Sequence, residues 1–241
     1  MLRRLLAIAS LGAALAHADL PVEKMGSIRT LPVPYPAHWV FAHDAAFFGM
    51  SHGKMVLLDA DAATQPAQYK GMINSAYIGQ FAVSAKRREL YVAETFNSRG
   101  QRGERTDVLT IYDQATLAPV AEVVLPGGKR FQGMPERHAL QLLDDDRLAL
   151  VFNLNPATSV SVVDLEARKL LAQHDIPGCA LMYPSGTSGF VSLCGDGAML
   201  ATRLDANGQV AAQTRTAPVW DIEADPLFEK DRKSTRLNSS H

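Results

Sequence analysis

Short apolar runs that alternate with polar residues recur along the chain between residues 37 and 229. Four of these runs end in an aspartate followed by a short turn sequence: Met55–Asp59, Val108–Asp113, Val160–Asp164 and Leu200–Asp205. Their period of two and their short length predict strands rather than helices. An aspartate at the end of a strand can accept hydrogen bonds from the backbone N–H groups of the turn that follows.

Further strand-like runs flank these four. One precedes each of them, at Ala45–Met50, Glu89–Thr95, Arg147–Asn153 and Gly189–Cys194, and others follow at Pro119–Leu125 and Leu170–Ile176. Three or four short strands per unit, repeated about every 40 to 55 residues, are typical of a β-propeller. The sequence therefore predicts an all-β fold with about four blades, of which the last is incomplete.

The two ends of the chain differ from this pattern. Arg3 and Arg4 precede the apolar run Leu5–Leu15, and Ala16-His17-Ala18 forms a small-x-small cleavage site, which predicts a secretory signal over residues 1–18. Residues 230–241 lack apolar periodicity and resemble a translated sequencing-library adapter. We therefore expect a signal peptide at 1–18, a partial propeller domain at 19–229 and a non-native tail at 230–241. The tail would replace the rest of the natural protein.

Composition and charge exclude several classes of protein. The 241 residues are 47% hydrophobic and 20% charged, which is unlike a disordered or collagen-like chain. No apolar run reaches the roughly 18 residues of a membrane-spanning helix, so we expect no membrane span. Without the leader and residues 231–241, the chain has 19 basic and 24 acidic residues, a net charge of −5. This acidic balance argues against nucleic acid as a partner.

The two cysteines, Cys179 and Cys194, fit an exported protein, because a disulfide persists in an oxidising compartment. Two unrelated buried thiols or two metal ligands are the alternatives. Neither cysteine lies in a CxxC motif or beside a histidine cluster, which favours a disulfide over a metal site.

Other candidate chemical groups match no known motif. His38, His43, Asp44 and His52 lie close together in sequence, but their spacing is not that of a metal or acid–base motif, and it favours turns and strand edges. Asp196 between two glycines and the segment Ser185–Gly189 are predicted turns. Ser185–Gly189 also lacks the Gly-x-Ser-x-Gly pattern of a nucleophile elbow. We expect no catalytic residue and no metal site in this chain.

The chain contains, in this order, Arg99–Asp113, Leu125-Pro126, Arg130–Gly133, Asn155–Ser159 with Val163-Asp164, Pro177–Cys179 and Cys194–Gly197. In the same order, these segments resemble the heavy (large) subunit of quinoprotein amine dehydrogenases. The resemblance is closer to aromatic amine dehydrogenase than to methylamine dehydrogenase at Asn155–Ser159, at Cys194–Gly197 and at a further segment, Asp225–Phe228. The resemblance covers residues 69–229, and upstream only the blade pattern remains.

The resemblance implies a seven-bladed propeller in the periplasm, joined to a small disulfide-rich light subunit in a heterotetramer of two heavy and two light chains. In that family the light subunit carries tryptophan tryptophylquinone, made from two of its own tryptophans. No cofactor is therefore expected in this chain, and Trp39 and Trp220 are not expected to form the quinone. The family oxidises primary amines to aldehyde and ammonia and passes the electrons to a type 1 copper protein such as azurin or amicyanin.

The same resemblance implies two sites. Tyr77 aligns with a phenylalanine that lines the channel to the quinone; the alternative is a partly buried aromatic of a blade. The segment Phe96–Asp107 is predicted to be a loop, and its charged residues would dock the light subunit through ion pairs or, alternatively, pair locally in solvent. These charged residues are Arg99, Arg102, Glu104, Arg105 and Asp107. The blade pattern alone equally supports a stand-alone periplasmic propeller that binds a partner without quinone chemistry.

Overall fold

The computed structural model describes residues 30–46 and 52–224 of the chain. The predicted signal peptide, the predicted tail and the segment Asp225–Phe228 lie outside the described residues. The described part forms strands arranged in four antiparallel sheets, with one α-helical turn, α1 (Gln65–Gln68), and one 3₁₀ turn (Arg137–Ala139). No helix in these two ranges is long and apolar enough to cross a membrane.

The first sheet has three strands in the order β1 (Trp39–Asp44), β2 (His52–Asp59) and β3 (Tyr69–Ala76). The strand before β2 ends at Asp44. Of the strand predicted at Ala45–Met50, Ala45 and Ala46 are not in a strand, and residues 47–50 lie outside the described part.

The other three sheets have four strands each, and every strand pairs with the next strand along the chain. The second sheet contains β4 (Gln80–Ser84), β5 (Glu89–Arg99), β6 (Arg102–Asp113) and β7 (Pro119–Leu125). The third contains β8 (Leu140–Leu143), β9 (Leu148–Asn153), β10 (Ser159–Asp164) and β11 (Lys169–Asp175). The fourth contains β12 (Cys179–Ser185), β13 (Gly189–Cys194), β14 (Met199–Leu204) and β15 (Val210–Arg215). These four successive antiparallel sheets are four blades of a β-propeller, as the sequence predicts. The expectation that the last of them is incomplete is wrong, because the fourth sheet has four strands and the first has three.

The hydrophobic core lies between neighbouring blades. Met55 and Ile73 of the first blade pack with Leu90 and Val92 of the second. Two larger clusters join the second blade to the third and the third to the fourth. Every residue of β9 is buried, whereas every residue of β15 is exposed. An inner blade is thus covered on both faces by its neighbours. Its strands expose side chains mainly at their ends, where a ligand or partner could contact them.

The aspartates that end the predicted strands have the turn role that the sequence indicates. The carboxylate of Asp164 accepts hydrogen bonds from the backbone N–H groups of Glu166 and Ala167, at 2.9 and 2.8 Å. Asp205 accepts in the same way from Asn207 and Gln209, at 2.8 and 2.9 Å. This prediction is confirmed, because each carboxylate satisfies donors that the turn leaves unpaired.

Candidate functional site

A cleft of about 400 Å³ opens between the first two blades. Tyr77, which follows β3, lines it together with Phe96 and Asn97 of β5 and with Gly100 of the turn between β5 and β6. Tyr112 of β6 adds a third aromatic ring. The structure therefore brings the predicted channel residue and the predicted docking segment to one cleft. Aromatic walls around an apolar cavity with few polar groups are typical of small-molecule sites.

The backbone at Tyr77 has an unusual conformation. Tyr77 and Ile78 both have positive φ angles, 48° and 51°. This left-handed region favours glycine, and a β-branched residue such as Ile78 is rarely found there. Each such residue costs about 1 to 3 kcal/mol, which the surrounding structure must offset. Tyr77 is half-buried and lines the cleft.

The segment Phe96–Asp107 is not the loop that the sequence predicts. It is the end of a long β-hairpin, in which β5 continues to Arg99 and β6 begins at Arg102. Gly100, with a φ of 72°, allows the tight turn between them. The prediction of a loop was wrong because it relied on apolar alternation, which this charged segment lacks. Backbone hydrogen bonds between β5 and β6 extend the two strands beyond the core. We call residues 96–106 the docking hairpin.

The charged residues of this segment divide into two groups. Arg99, Arg102 and Glu104 are exposed near the tip of the docking hairpin. Arg105 is half-buried, and its guanidinium donates two hydrogen bonds to Asp107, at 2.8 and 3.0 Å. Asp107 is 1% exposed and lies beneath the hairpin.

The Asp107 carboxylate has two further donors inside the chain. The Thr95 hydroxyl donates to it at 2.7 Å, and the backbone N–H of Arg130 donates at 2.9 Å. Burial of an ionised carboxylate requires such compensation. Asp107 thus anchors the base of the docking hairpin to the connection between the second and third blades.

Arg130 is a fully buried arginine that the sequence reasoning quoted only as part of a matching motif. Its guanidinium donates to the carbonyl oxygens of Tyr77, Ile78 and Phe131, at 2.8, 3.2 and 2.8 Å. Its Nε donates to the Thr95 hydroxyl at 2.9 Å. Burial lowers the pKa of Arg130 to about 10, an effect that the negative charge of Asp107 opposes. The group therefore remains a cation at neutral pH.

Glu94 is a second site residue that the sequence reasoning missed. It lines the cleft, is 2% exposed, and accepts hydrogen bonds from the backbone N–H of Ala76 at 2.6 Å and from the Thr110 hydroxyl. Burial raises the pKa of its carboxyl. Burial, followed by the charge of Glu94, raises the pKa of Tyr112 to about 12, and the Tyr112 hydroxyl donates to the Asn74 carbonyl at 3.2 Å. The sequence offers one indication of this role: Glu94 is a charged residue at an inward position of an otherwise apolar strand segment.

The disulfide between Cys179 and Cys194 is present, and it joins directly paired positions of β12 and β13. The Arg215 guanidinium lies 3.1 and 3.2 Å from the two sulfur atoms and donates to Asp196 at 2.8 Å. This hydrogen bond is the main cause that lowers the pKa of Asp196. Asp196 also accepts from the backbone N–H of Ala198 at 3.0 Å, which is the turn role expected of it.

The histidines of the first blade lie apart from this site, except His52, which lines the cleft. His38 lies 3.5 Å from Asp59 and 3.6 Å from Asp61, near the end of β2. His43 is in β1, and burial lowers its pKa. The part of the chain that the structure describes contains no group of three or more His, Cys, Asp or Glu residues that could hold a metal ion.

Two solved structures share the fold at low sequence identity. A dihydro-heme d1 dehydrogenase superposes with a TM-score of 0.53 at 20% identity, over 81% of this chain and 38% of the other. A putative 6-phosphogluconolactonase from Bacteroides fragilis superposes with a TM-score of 0.51 at 12% identity, over 80% of this chain and 55% of the other. These similarities concern the fold alone.

Curated relatives are more similar in sequence. The methylamine dehydrogenase heavy chain of Methylorubrum extorquens is 27% identical over 214 residues, which cover 88% of this chain and 50% of that protein. The heavy chain of Paracoccus versutus is 29% identical over 183 residues, 76% of this chain and 40% of that protein. The chain thus spans half or less of the length of these relatives.

A family model for the methylamine dehydrogenase heavy chain matches residues 36–238, which include both sides of the cleft and the docking hairpin. The match extends into the segment 230–241 at the end of the chain. On this match the chain belongs to the methylamine dehydrogenase heavy chain family.

Proposed function

We propose that this chain is part of the heavy subunit of a periplasmic amine dehydrogenase that depends on tryptophan tryptophylquinone. The observation that carries the proposal is the cleft between the first two blades, because it combines Tyr77 with the docking hairpin in a chain of this family. The complete heavy chain would close as a seven-bladed propeller. The light subunit would oxidise primary amines to aldehyde and ammonia and pass the electrons to a type 1 copper protein such as azurin or amicyanin.

In this proposal the chain provides a wall of the substrate channel. Tyr77, Phe96 and Tyr112 offer three aromatic rings around a cavity whose exposed lining is mainly apolar. Such a wall excludes water and binds the side chain of the amine. The buried carboxyl of Glu94, at the same cleft, adds a hydrogen-bonding group to this apolar surface. We assign these residues to binding, not to proton transfer.

Docking of the light subunit is assigned to the exposed part of the docking hairpin. Arg99 and Arg102 can form bidentate pairs with carboxylates of a partner, and Glu104 can accept from a basic residue. Exposed pairs contribute only about 0.2 to 1 kcal/mol each, so we expect the side chain of Phe96, which is 46% exposed, to add apolar contact area. Arg105 and Asp107 support this surface from below.

The quinone is assigned to the light subunit, where it would accept the electrons of the amine. The two tryptophans of this chain do not suit its formation. Trp39 is in the first blade, where its ring packs on Tyr35 at 5.8 Å between ring centroids and has the Lys70 ammonium 5.2 Å from its centre. Trp220 follows the last strand of the fourth blade, beside Gly197. Their positions on the first and the fourth of the described blades support the assignment of the quinone to the light subunit.

We further propose that the preferred substrates are aromatic amines. The proposal is supported by the segments that resemble aromatic amine dehydrogenase and by a cleft that offers room for a ring. The Tyr77 hydroxyl distinguishes this wall from a phenylalanine and offers a hydrogen-bonding group to a bound substrate. The disulfide and the predicted leader agree with a periplasmic enzyme, since disulfides persist in oxidising compartments.

The test is to co-express the complete heavy-chain gene with a light-subunit gene from the same locus. We expect a heterotetramer with quinone absorbance that reduces a dye when an aromatic amine is added. The heavy chain expressed alone is the control, and it should show neither absorbance nor activity. A heavy chain that is stable and fully folded without any light-subunit gene at its locus would contradict the proposal and favour a stand-alone binding propeller.

A further inference from the structure

Arg130 uses its side chain in a way that differs from most buried arginines. Buried arginines usually pair with carboxylates. The side chain of Arg130 instead donates to three backbone carbonyl oxygens and one hydroxyl, and the residue is 1% exposed. The negative charges that face it are those of Asp107 and Glu94, and the cation of Arg105 is also nearby.

Two of these carbonyls belong to the residues that have the disfavoured backbone conformation. Tyr77 and Ile78 have φ angles of 48° and 51°, and Arg130 binds the carbonyl oxygen of each. A short connection of two left-handed residues persists only where the surroundings determine it. The planar guanidinium can hold both carbonyls at a fixed spacing, which a flexible ammonium cannot.

The backbone of the same residue is tied to the docking hairpin. The N–H of Arg130 donates to Asp107 at 2.9 Å, and the Arg130 carbonyl accepts from Arg105 at 2.9 Å. One residue therefore contacts the connection that presents Tyr77 through its side chain and the base of the docking hairpin through its backbone. Arg130 by itself thus links the base of the docking hairpin to the backbone of the proposed channel wall through direct hydrogen bonds.

We propose that Arg130 is a positioning residue that fixes the Tyr77 wall relative to the docking hairpin and thereby sets the amine selectivity of the assembled enzyme. This inference rests on the proposed function. Arg130 does not face the substrate, so its effect on selectivity passes through the backbone of Tyr77 and Ile78. A purely structural role would lower stability but leave the ratio between substrates unchanged.

The test uses the complete heavy chain co-expressed with its light subunit. Arg130→Lys keeps the charge that balances Asp107 but loses the fork that holds two carbonyls. Thr95→Val removes the hydroxyl that accepts from Nε and donates to Asp107, but it keeps the guanidinium that binds the carbonyls of Tyr77 and Ile78. It is the milder change if the lysine variant does not assemble, and because Thr95 also lines the cleft, its hydrogen exchange is the decisive measurement. Arg147→Lys is the control, because Arg147 also joins neighbouring blades: at the other end of the strands it donates to Asp164 in its own blade and to the Ala206 carbonyl in the fourth blade.

Two measurements are made on each variant with normal quinone absorbance. The first is the ratio of kcat/KM for phenethylamine to that for methylamine, which we expect to change by about 10- to 100-fold in Arg130→Lys and less in Thr95→Val. The second is hydrogen exchange in the segment 76–81 of the heavy chain, which we expect to become faster in both variants. Arg147→Lys should leave both quantities at the wild-type value.

The outcomes separate this inference from the proposed function. If the wild-type complex shows no quinone absorbance, the proposed function fails and the claim about selectivity fails with it. If the wild type is active and both variants keep its substrate ratio, only the role of Arg130 in selectivity is overturned, whether or not exchange in the segment 76–81 becomes faster. If Arg147→Lys also changes the substrate ratio, the change in Arg130→Lys is explained by a general loss of stability. That result would also overturn the role of Arg130.

Discussion

Asp107 is the residue whose substitution most directly tests the structure of the docking hairpin. Its carboxylate accepts from the Thr95 hydroxyl, from two nitrogen atoms of Arg105 and from the backbone N–H of Arg130. Asn has the same shape, but one of its two terminal atoms is an NH₂ group. In Asp107→Asn this NH₂ group must face N–H or O–H donors that bind the carboxylate in the wild type, and it cannot accept from them.

The structure allows the loss to be estimated. Oδ2 accepts from Arg105 Nη2 at 3.0 Å and from the Arg130 N–H at 2.9 Å, and both bonds are lost if the NH₂ group occupies this position. A hydrogen bond to a charged group contributes about 1.5 to 3 kcal/mol. The Arg105 side chain is 24% exposed, so water replaces part of its interaction. We expect Asp107→Asn to lower the free energy of unfolding by about 3 kcal/mol.

The measurement is urea unfolding of the complete heavy chain without its light subunit. Asp113→Asn is the control, because Asp113 ends the same strand and accepts only from Thr116, so we expect a loss of about 1 kcal/mol. If Asp107→Asn costs no more than the control but weakens binding of the light subunit, then Asp107 contacts the partner directly and our assignment of it as an internal anchor is wrong.

Three further predictions concern the disulfide, the channel and the buried carboxyl. Cys194→Ser should lower the free energy of unfolding by about 3 kcal/mol, since the bridge closes a loop with a sequence separation of 15; an unchanged urea midpoint in the variant, or two titratable thiols in the wild type, would refute this. Tyr77→Ala in the assembled enzyme should change the discrimination between aromatic and aliphatic amines by about 1 to 3 kcal/mol, as measured by kcat/KM, and identical selectivity would remove Tyr77 from the channel. Burial raises the pKa of Glu94 in the folded state, so the folded protein binds the Glu94 proton more tightly than the unfolded chain does. The contribution of Glu94 to stability therefore falls as the pH rises above about 4.3, the ordinary pKa of a glutamate. Glu94→Gln should therefore gain stability relative to the wild type between acidic and neutral pH, and a constant difference in urea midpoint across that range would contradict the raised pKa.

The blades could be predicted from the sequence because their physical cause is local. Runs such as Val160–Asp164 alternate in polarity, and their final aspartate marks the turn, as the structure confirms. Strands such as β4 (Gln80–Ser84) and β15 (Val210–Arg215) were not predicted. They are short, and β15 is exposed along its whole length, so neither has a clear apolar pattern and each is defined by pairing with its neighbour.

The docking hairpin shows the same limit at the site. The charged residues of Arg99–Asp107 follow no apolar pattern, so the segment was predicted to be a loop, whereas backbone pairing continues to Arg99 and Arg102. Tyr77 was found only through resemblance, because nothing in its local sequence indicates a channel. Arg130 could not be assigned a role from sequence, since its partners Tyr77 and Ile78 lie more than 50 residues earlier.

The architecture explains why these functional groups gather at one end of the strands. Between blades, both faces of a sheet such as the third are covered, and a strand such as β9 has no side chain available for a ligand. Only the connections at the strand ends are free of this constraint. They can accept a strained backbone at Tyr77 or an extended hairpin at Phe96 because the packed blades hold their bases. In the proposed enzyme, the geometry of the cleft would therefore depend on buried residues such as Asp107 and Arg130, which connect one blade end to the next, as well as on the residues that line it.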